Sequence, residues 1–436
     1  MMKAAPLSVA TVIALLGVVV GGCRSSIEGS GAAADGWRAD PAIIAALAAT
    51  RPEVNATEAR VPRFELPDPL RRQDGTVVHT PEQWPARRAE LLELFREHVY
   101  GQRPDTPVRI DFVPGSPEPM FDGRVMATTV VCRVVRIDRP AAAPFEFSFA
   151  VYAPHPMPSA LAPAIIHINN RRLASPAAVR DEPREFSPIE AICGKGYVFA
   201  TLHTRHVDPD RSDGYADGLR GFLAQPGERA NDDWGALSAW GWGASRVLDF
   251  LVEQPWFDEE RVAVVGHSRG GKAALWAAAE DTRFRSVYSN NSGCGGAALS
   301  RRRFGETVSI ITSAFPHWFA PNFAAYSHRE GELPVDQHQL MALIAPRRLY
   351  VASAGDDLWA DPRGEYLALA HAALVYEVLG FRAVNELKMP PPNIPIVQGR
   401  TGYHLRPGEH DLKRSDWLRF LGFMAAVGTR EHATHQ

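Results

Sequence analysis

Apolar residues fall into two rhythms along this chain. Between residues 108 and 152, three strand-like runs, Val108–Val113, Val125–Ile137 and Phe145–Tyr152, are each bounded by proline, glycine or charged residues. Further on, short continuous apolar runs alternate with stretches of helical period. Ala164–Ile168, Tyr197–Leu202, Val262–Val265, Val287–Ser289 and Leu349–Ala352 have the length and β-branched content of buried strands. Asp233–Val252, Arg269–Ala279, Gly364–Val378 and Leu412–Val427 read as helices. Pro81–Tyr100 is a further helix, with Leu91, Leu92, Leu94, Phe95 and Val99 at helical spacing, Thr80 as N-cap, and Gly101 as stop. Strands alternating with helices predict an α/β fold with a mostly parallel central sheet, covered by helices on both faces. No internal repeat or break divides the region, so residues 60–429 read as one domain.

The first 23 residues obey other rules. Lys3 precedes an apolar run from Leu7 to Val20 that is shorter than the roughly 20 residues needed to cross a bilayer, as in a signal peptide. It ends in Val20-Gly21-Gly22-Cys23, which resembles a bacterial lipobox, with Cys23 as the lipidated residue. Residues 24–59, rich in Ala, Gly and Ser, read as a tether that could include a helix around Ile43–Leu47. An exported lipoprotein, held at the periplasmic or outer face of a membrane, is the expectation.

Charge removes one class of partner. The 436 residues include 47 Lys and Arg against 50 Asp and Glu, a net charge of −3. Phosphate binding needs a concentrated basic surface, and the only basic run is Arg301-Arg302-Arg303, so nucleic acid is not expected. That run reads as a solvated face with some capacity to hold an anionic product. Four cysteines, Cys23, Cys132, Cys193 and Cys294, are too few for a disulfide scaffold, and none forms a C-x-x-C zinc motif.

The chemistry concentrates where the apolar run Val262–Val265 enters Gly266-His267-Ser268-Arg269-Gly270 and a helix follows. This is G-x-S-x-G in the strand–turn–helix context that makes it a nucleophile elbow. The turn is tight enough that the residues two before and two after the serine must be small, and both are glycine. Ser268 would stand exposed, with the backbone N–H of Arg269 facing a developing oxyanion. A serine hydroxyl needs a base and an orienting acid, which in such folds follow in the order acid, then histidine. Asp356, Asp357 and Asp361 follow the Leu349–Ala352 strand, and His404 stands in what reads as a polar loop before the last helix.

With these residues in hand, and with six matched segments that include the elbow, the chain resembles carbohydrate esterase family 15, the glucuronoyl esterases, in their bacterial form. The segments are Gly266–Lys272, Asn290–Ala297, Phe315–Phe319, Leu333–His338, Ile344–Arg347 and Asp357–Pro362. The resemblance implies an α/β-hydrolase that cleaves the ester between (4-O-methyl-)glucuronate of xylan and lignin alcohols through an acyl-enzyme, without metal or cofactor. It implies Ser268 as nucleophile, His404 as base, and the Arg269 side chain at the oxyanion. Lys272, Trp359 and Glu306 are implied as contacts to the sugar. Fungal members carry the acid as Glu in E-S-G-x-G-G, where this chain has Asn291, so the acid must come from the later strand. Asp357 is preferred because it opens the matching D-x-W-A-D-P segment. Fungal cysteines beside the serine and histidine are replaced by His267 and Leu405. The expected partners are a glucuronoxylan or lignin–carbohydrate ester and, through the lipid alone, a membrane, with the chain a monomer.

Other signals read more plainly. The acidic segment His203–Gly218 fails the spacing of a calcium loop and reads as a solvated loop near the cleft. Trp234, Trp240 and Trp242 read as core, and the sequence leaves His317 and Trp318 open between pocket and packing. Two other functions fit the same scaffold: an acetyl-xylan deacetylase or general carboxylesterase, and a glycan-binding surface lipoprotein with a vestigial elbow.

Overall fold

The computed structural model describes residues 36–171, 185–227 and 229–433. Cys23 and the predicted signal segment lie outside them. Among the described residues, eleven strands form one sheet: β1 (Val108–Pro114), β2 (Glu118–Met120), β3 (Val125–Arg136), β4 (Phe145–Pro154), β5 (Ala162–Asn169), β6 (Val198–His203), β7 (Phe257–His267), β8 (Ser286–Asn290), β9 (Arg348–Ala354), β10 (Ile396–Gln398) and β11 (Thr401–Arg406). Their order is β1-β3-β4-β6-β5-β7-β8-β9-β11-β10, with β2 beside β3. The six strands from β6 to β11 run parallel, and β1, β3, β4 and β10 join antiparallel at the two ends.

Alternation along the strands sends side chains to two cores. On β5, Ala164, Ile166 and Ile168 face one cluster with Trp240, Leu275 and Trp276 from the helices Ala236–Val252 and Arg269–Glu280. Ile165 faces the other, with Phe199, Val265, Tyr288 and residues Trp417 and Phe420 of the last helix. A period of two and burial on both sides explain why these strands read as unbroken apolar runs. The fold is that of an α/β-hydrolase, and the three tryptophans lie in the core as expected.

Two elements depart from expectation. Residues 36–59 do not run free as a tether. Pro41–Thr50 is a helix whose Ile43, Ile44 and Leu47 pack with Phe304 and Leu358, and Asn55 bridges to Gly305. Packing therefore starts near Trp37, ahead of the boundary read at residue 60. The second departure is β11, a buried strand in a stretch read as loop, and it decides the identity of a site residue below.

In the parallel registers, Gly266 pairs with Ser289, Asn290 with Ala352, and Ala352 with His404. The carboxyl ends of β7, β8, β9 and β11 thus lie side by side. The loops that leave them meet in one crevice, as in other open α/β sheets.

Candidate active site

Ser268 occupies the elbow at φ 57°, ψ −126°. A Cβ at Gly266 would come within 2.0 Å of the Gly270 carbonyl oxygen, and one at Gly270 within 2.5 Å of the Ile168 oxygen, so only glycine closes this turn. Strain of this kind costs about 1–3 kcal/mol and persists only where the surroundings enforce it. Here the Ser268 N–H donates to Asn290 O on β8 at 2.9 Å, and the N–H groups of Gly271 and Lys272 close on Ser268 O at 2.9 and 3.1 Å. Ser268 opens into a cleft of about 380 Å³ that is also lined by Arg269, Lys272, Glu306, Asp357, Trp359 and His410.

Of the two adjacent acids after β9, Asp356 is exposed, while Asp357 is buried and faces this cleft. Its Oδ2 accepts from His410 Nδ1 at 2.6 Å and from Asn291 Nδ2 at 2.9 Å. A proton on Nδ1 leaves the lone pair on Nε2, the tautomer a general base requires. Asn291 therefore does not stand in for an acid; it donates to the one that is present.

His404 does not join this group. It lies on β11, fully buried, with Nδ1 3.0 Å from the Tyr350 hydroxyl and Nε2 2.9 Å from Asp416 Oδ1. Asp416 also accepts from Arg406 Nε and the Lys413 N–H. The cluster fastens the last helix to the sheet, and burial holds His404 below the ordinary histidine range. The histidine at the cleft is His410, in the segment Pro407–Lys413 after β11. The sequence carried the signal: His404 is flanked by Tyr403 and Leu405, as in a strand, whereas His410 follows Pro407, Gly408 and Glu409, as in a loop.

The acidic segment before the cleft is only partly solvated. Asp213 and Asp217 are exposed and pair with Arg211. Asp208 is buried against Arg220. Asp210 receives Arg269 Nη1, His317 Nε2 at 3.0 Å and the Trp318 indole N–H at 2.8 Å. Burial opposes its ionisation, yet the hydrogen bonds from His317, Trp318 and Arg269 and the charge of Arg269 hold its carboxyl well below the usual range. Arg269 is thereby fixed over the Trp318 ring at 4.8 Å, and its buried Nε has no partner among the described residues. His317 and Trp318 are thus part of the support of the arginine.

On the opposite wall, Lys272 Nζ donates to Ser292 O and Cys294 O at 2.5 and 2.6 Å and lies 3.6 Å from Glu306. Burial raises the Glu306 carboxyl while Lys272 and the Trp359 side chain oppose that rise. Trp359 is half-exposed at the cleft, and the Arg51 guanidinium from the N-terminal segment stacks on it at 5.0 Å. Arg301 and Arg302, read as a solvated face, are buried in pairs with Asp336 and Asp361, and Arg302 also holds Glu58. Their charge is already neutralised. Cys132, Cys193 and Cys294 are free thiols in the interior.

Beneath the site, Glu365 accepts from the N–H groups of Ser292 and Gly293 at 2.7 and 2.9 Å, with Ser353 Oγ 2.5 Å away. Burial, with the nearby Asp357 charge, raises its carboxyl from 4.5 to about 8. The folded state therefore keeps a proton that the unfolded chain loses near 4.5, and stability falls as pH rises between about 4.5 and 8. Glu365→Gln mimics the neutral form. Its unfolding free energy relative to the parent should climb across that window in denaturant titrations, and a pH-independent difference would contradict the assignment.

Known proteins resemble this chain over most of its length. The sequence family described as "Glucuronyl esterase, fungi" matches residues 229–380. A carbohydrate esterase from an unknown prokaryotic organism is 36% identical, over 89% of this chain and 94% of its own. A 4-O-methyl-glucuronoyl methylesterase from Schizophyllum commune is 29% identical over 74% of this chain and 76% of its own. Among solved structures, a glucuronoyl esterase from Solibacter usitatus superposes with a TM-score of 0.77 at 36% identity, covering 85% of this chain and 99% of that one. A promiscuous CE15 esterase from a marine bacterial metagenome gives the same TM-score and coverage at 35% identity. With 36% identity over 89% of its length to one relative and a matching fold in these solved esterases, the chain belongs to carbohydrate esterase family 15.

Proposed function

We propose that this carboxylic ester hydrolase cleaves glucuronoyl esters through Ser268, His410 and Asp357. The observation that carries the reading is the meeting, in one cleft, of an elbow serine, a carboxylate-oriented histidine and a wall built of Lys272, Glu306 and Trp359. His410 Nε2 takes the Ser268 proton as Oγ attacks the uronate carbonyl. Arg269, through its side chain and its backbone N–H, stabilises the oxyanion, and His410 returns the proton to the departing alcohol. Water, activated by the same histidine, then releases the uronic acid. Two of the three Lys272 N–H groups are committed to carbonyls and the third faces Glu306 at 3.6 Å, where a sugar hydroxyl can bridge the pair by accepting from Lys272 and donating to Glu306. Trp359 offers a ring face to the pyranose.

The test is hydrolysis of benzyl glucuronate beside an aryl acetate. The uronate ester should be turned over with the higher kcat/KM, and Ser268→Ala should abolish it. Preference for the acetate would indicate a deacetylase or general esterase, and no turnover of either would indicate a binding protein.

We also propose that the protein is exported and anchored through a lipid on Cys23, on the support of residues 1–23. Cys23→Ala should move the protein from the membrane pellet to the soluble fraction. Equal pelleting of the variant would count against the anchor.

A further inference from the structure

We propose that His267, the residue before the nucleophile, is a positioning residue that sets the plane of the His410 ring. The inference rests on His410 being the base of the proposed esterase. The hydrogen bond from His410 Nδ1 to Asp357 fixes one point of an imidazole whose side chain is 39% exposed, but one bond does not fix a plane. The His267 ring supplies the missing restraint: it lies against His410 with centroids 4.5 Å apart and planes inclined at 47°.

His267 is itself held from two sides. Asn290 Nδ2 donates to the Tyr288 hydroxyl at 3.2 Å, so its Oδ1 is the acceptor for His267 at 2.6 Å. The proton of His267 is thus on Nδ1, and the lone pair of Nε2 faces Arg171 Nη2 at 3.5 Å. The same arginine donates through Nη1 to Asp411, the neighbour of His410, at 2.6 Å, and stacks on Phe186 at 4.3 Å. Arg406 holds the loop from beneath, donating to Glu409 O and Asp411 O. Asn290 is the common anchor, because its carbonyl accepts the Ser268 N–H while its side chain orients His267. One residue of β8 therefore registers nucleophile and base together.

The charge state suits this role. Complete burial, with His410, Arg171 and Arg406 nearby, keeps His267 well below the ordinary histidine range and hence neutral. When His410 becomes imidazolium during the reaction, it faces a neutral ring rather than a second cation, so His267 adds no like-charge repulsion.

The experiment compares His267→Ala, His267→Phe and His410→Ala, with His267→Ala also placed in the His410→Ala background. Benzyl glucuronate is the substrate, and thermal unfolding is followed in parallel. His267→Ala should lower kcat about 10- to 100-fold with KM within twofold, since the sugar wall is untouched. His267→Phe, which restores a ring face, should recover much of that loss. In the His410→Ala background, His267→Ala should cost nothing further, because the residue acts through His410. An undiminished kcat in His267→Ala, a loss in His267→Phe as deep as in the alanine variant, or additive losses in the double variant would each overturn the inference. Full activity in His410→Ala would instead overturn the assignment of the base.

Discussion

Replacing His410 by alanine should lower kcat on a glucuronate ester by about four orders of magnitude, with KM nearly unchanged. The magnitude is that of losing the base of a triad, where each member is needed for the others to act. It follows from the 2.6 Å bond that ties Nδ1 to Asp357 and from the presence of the ring in the Ser268 cleft. The contrasting variant is His404→Ala. His404 is buried between Tyr350 and Asp416, so its loss leaves a buried carboxylate with one donor fewer and should cost about 2–3 kcal/mol of stability. Its kcat per folded molecule should stay within a few-fold of the parent. Steady-state kinetics beside thermal melts separate the two, and the reverse pattern would return the base to His404.

The second large effect concerns the acid. Asp357→Asn should reduce kcat by about 10⁴-fold without unfolding the protein, because an amide does not simply weaken the bond to His410. Asn291 Nδ2 and His410 Nδ1 share Oδ2 of Asp357. An amide that keeps its oxygen there holds the ring but carries no charge to stabilise the imidazolium, and one that turns its N–H₂ toward His410 reverses the bond to Nδ1. That nitrogen would then become the acceptor, the proton would move to Nε2, and the base would be blocked at the atom that must receive the serine proton. Asp356→Asn, at an exposed position, should change kcat by less than twofold. Similar, small losses in both would remove Asp357 from the triad.

Much of this site was readable from the chain. The elbow declares itself because glycine at 266 and 270 is a steric requirement, and the parallel strands because two-sided burial leaves continuous apolar runs. Asp357 was reached by family resemblance, and the structure separates it from Asp356 by burial. His404 misled because Thr401–Arg406 is short, holds a glycine and mixes polar with apolar side chains, so the strand signal of Tyr403 and Leu405 around it is weak. Only the pairing with β9, a contact about fifty residues away in sequence, makes it a strand. The acidic segment misled for a related reason. Asp210 looks like its solvated neighbours until Arg269, some sixty residues on, folds against it. Long-range pairings of charged groups leave no periodic trace.

The N-terminal segment has a spatial consequence. With folding under way at Trp37 and Arg51 seated on Trp359, a lipid on Cys23 would be joined to the body of the enzyme by about 14 residues, rather than the nearly 40 that a boundary at residue 60 would allow. A chain spans at most about 3.3–3.6 Å per residue, so the leash cannot exceed about 50 Å, against well over 100 Å for the longer one. An enzyme so tied would patrol a thin shell above the bilayer and meet its polysaccharide only where the polymer comes to the cell.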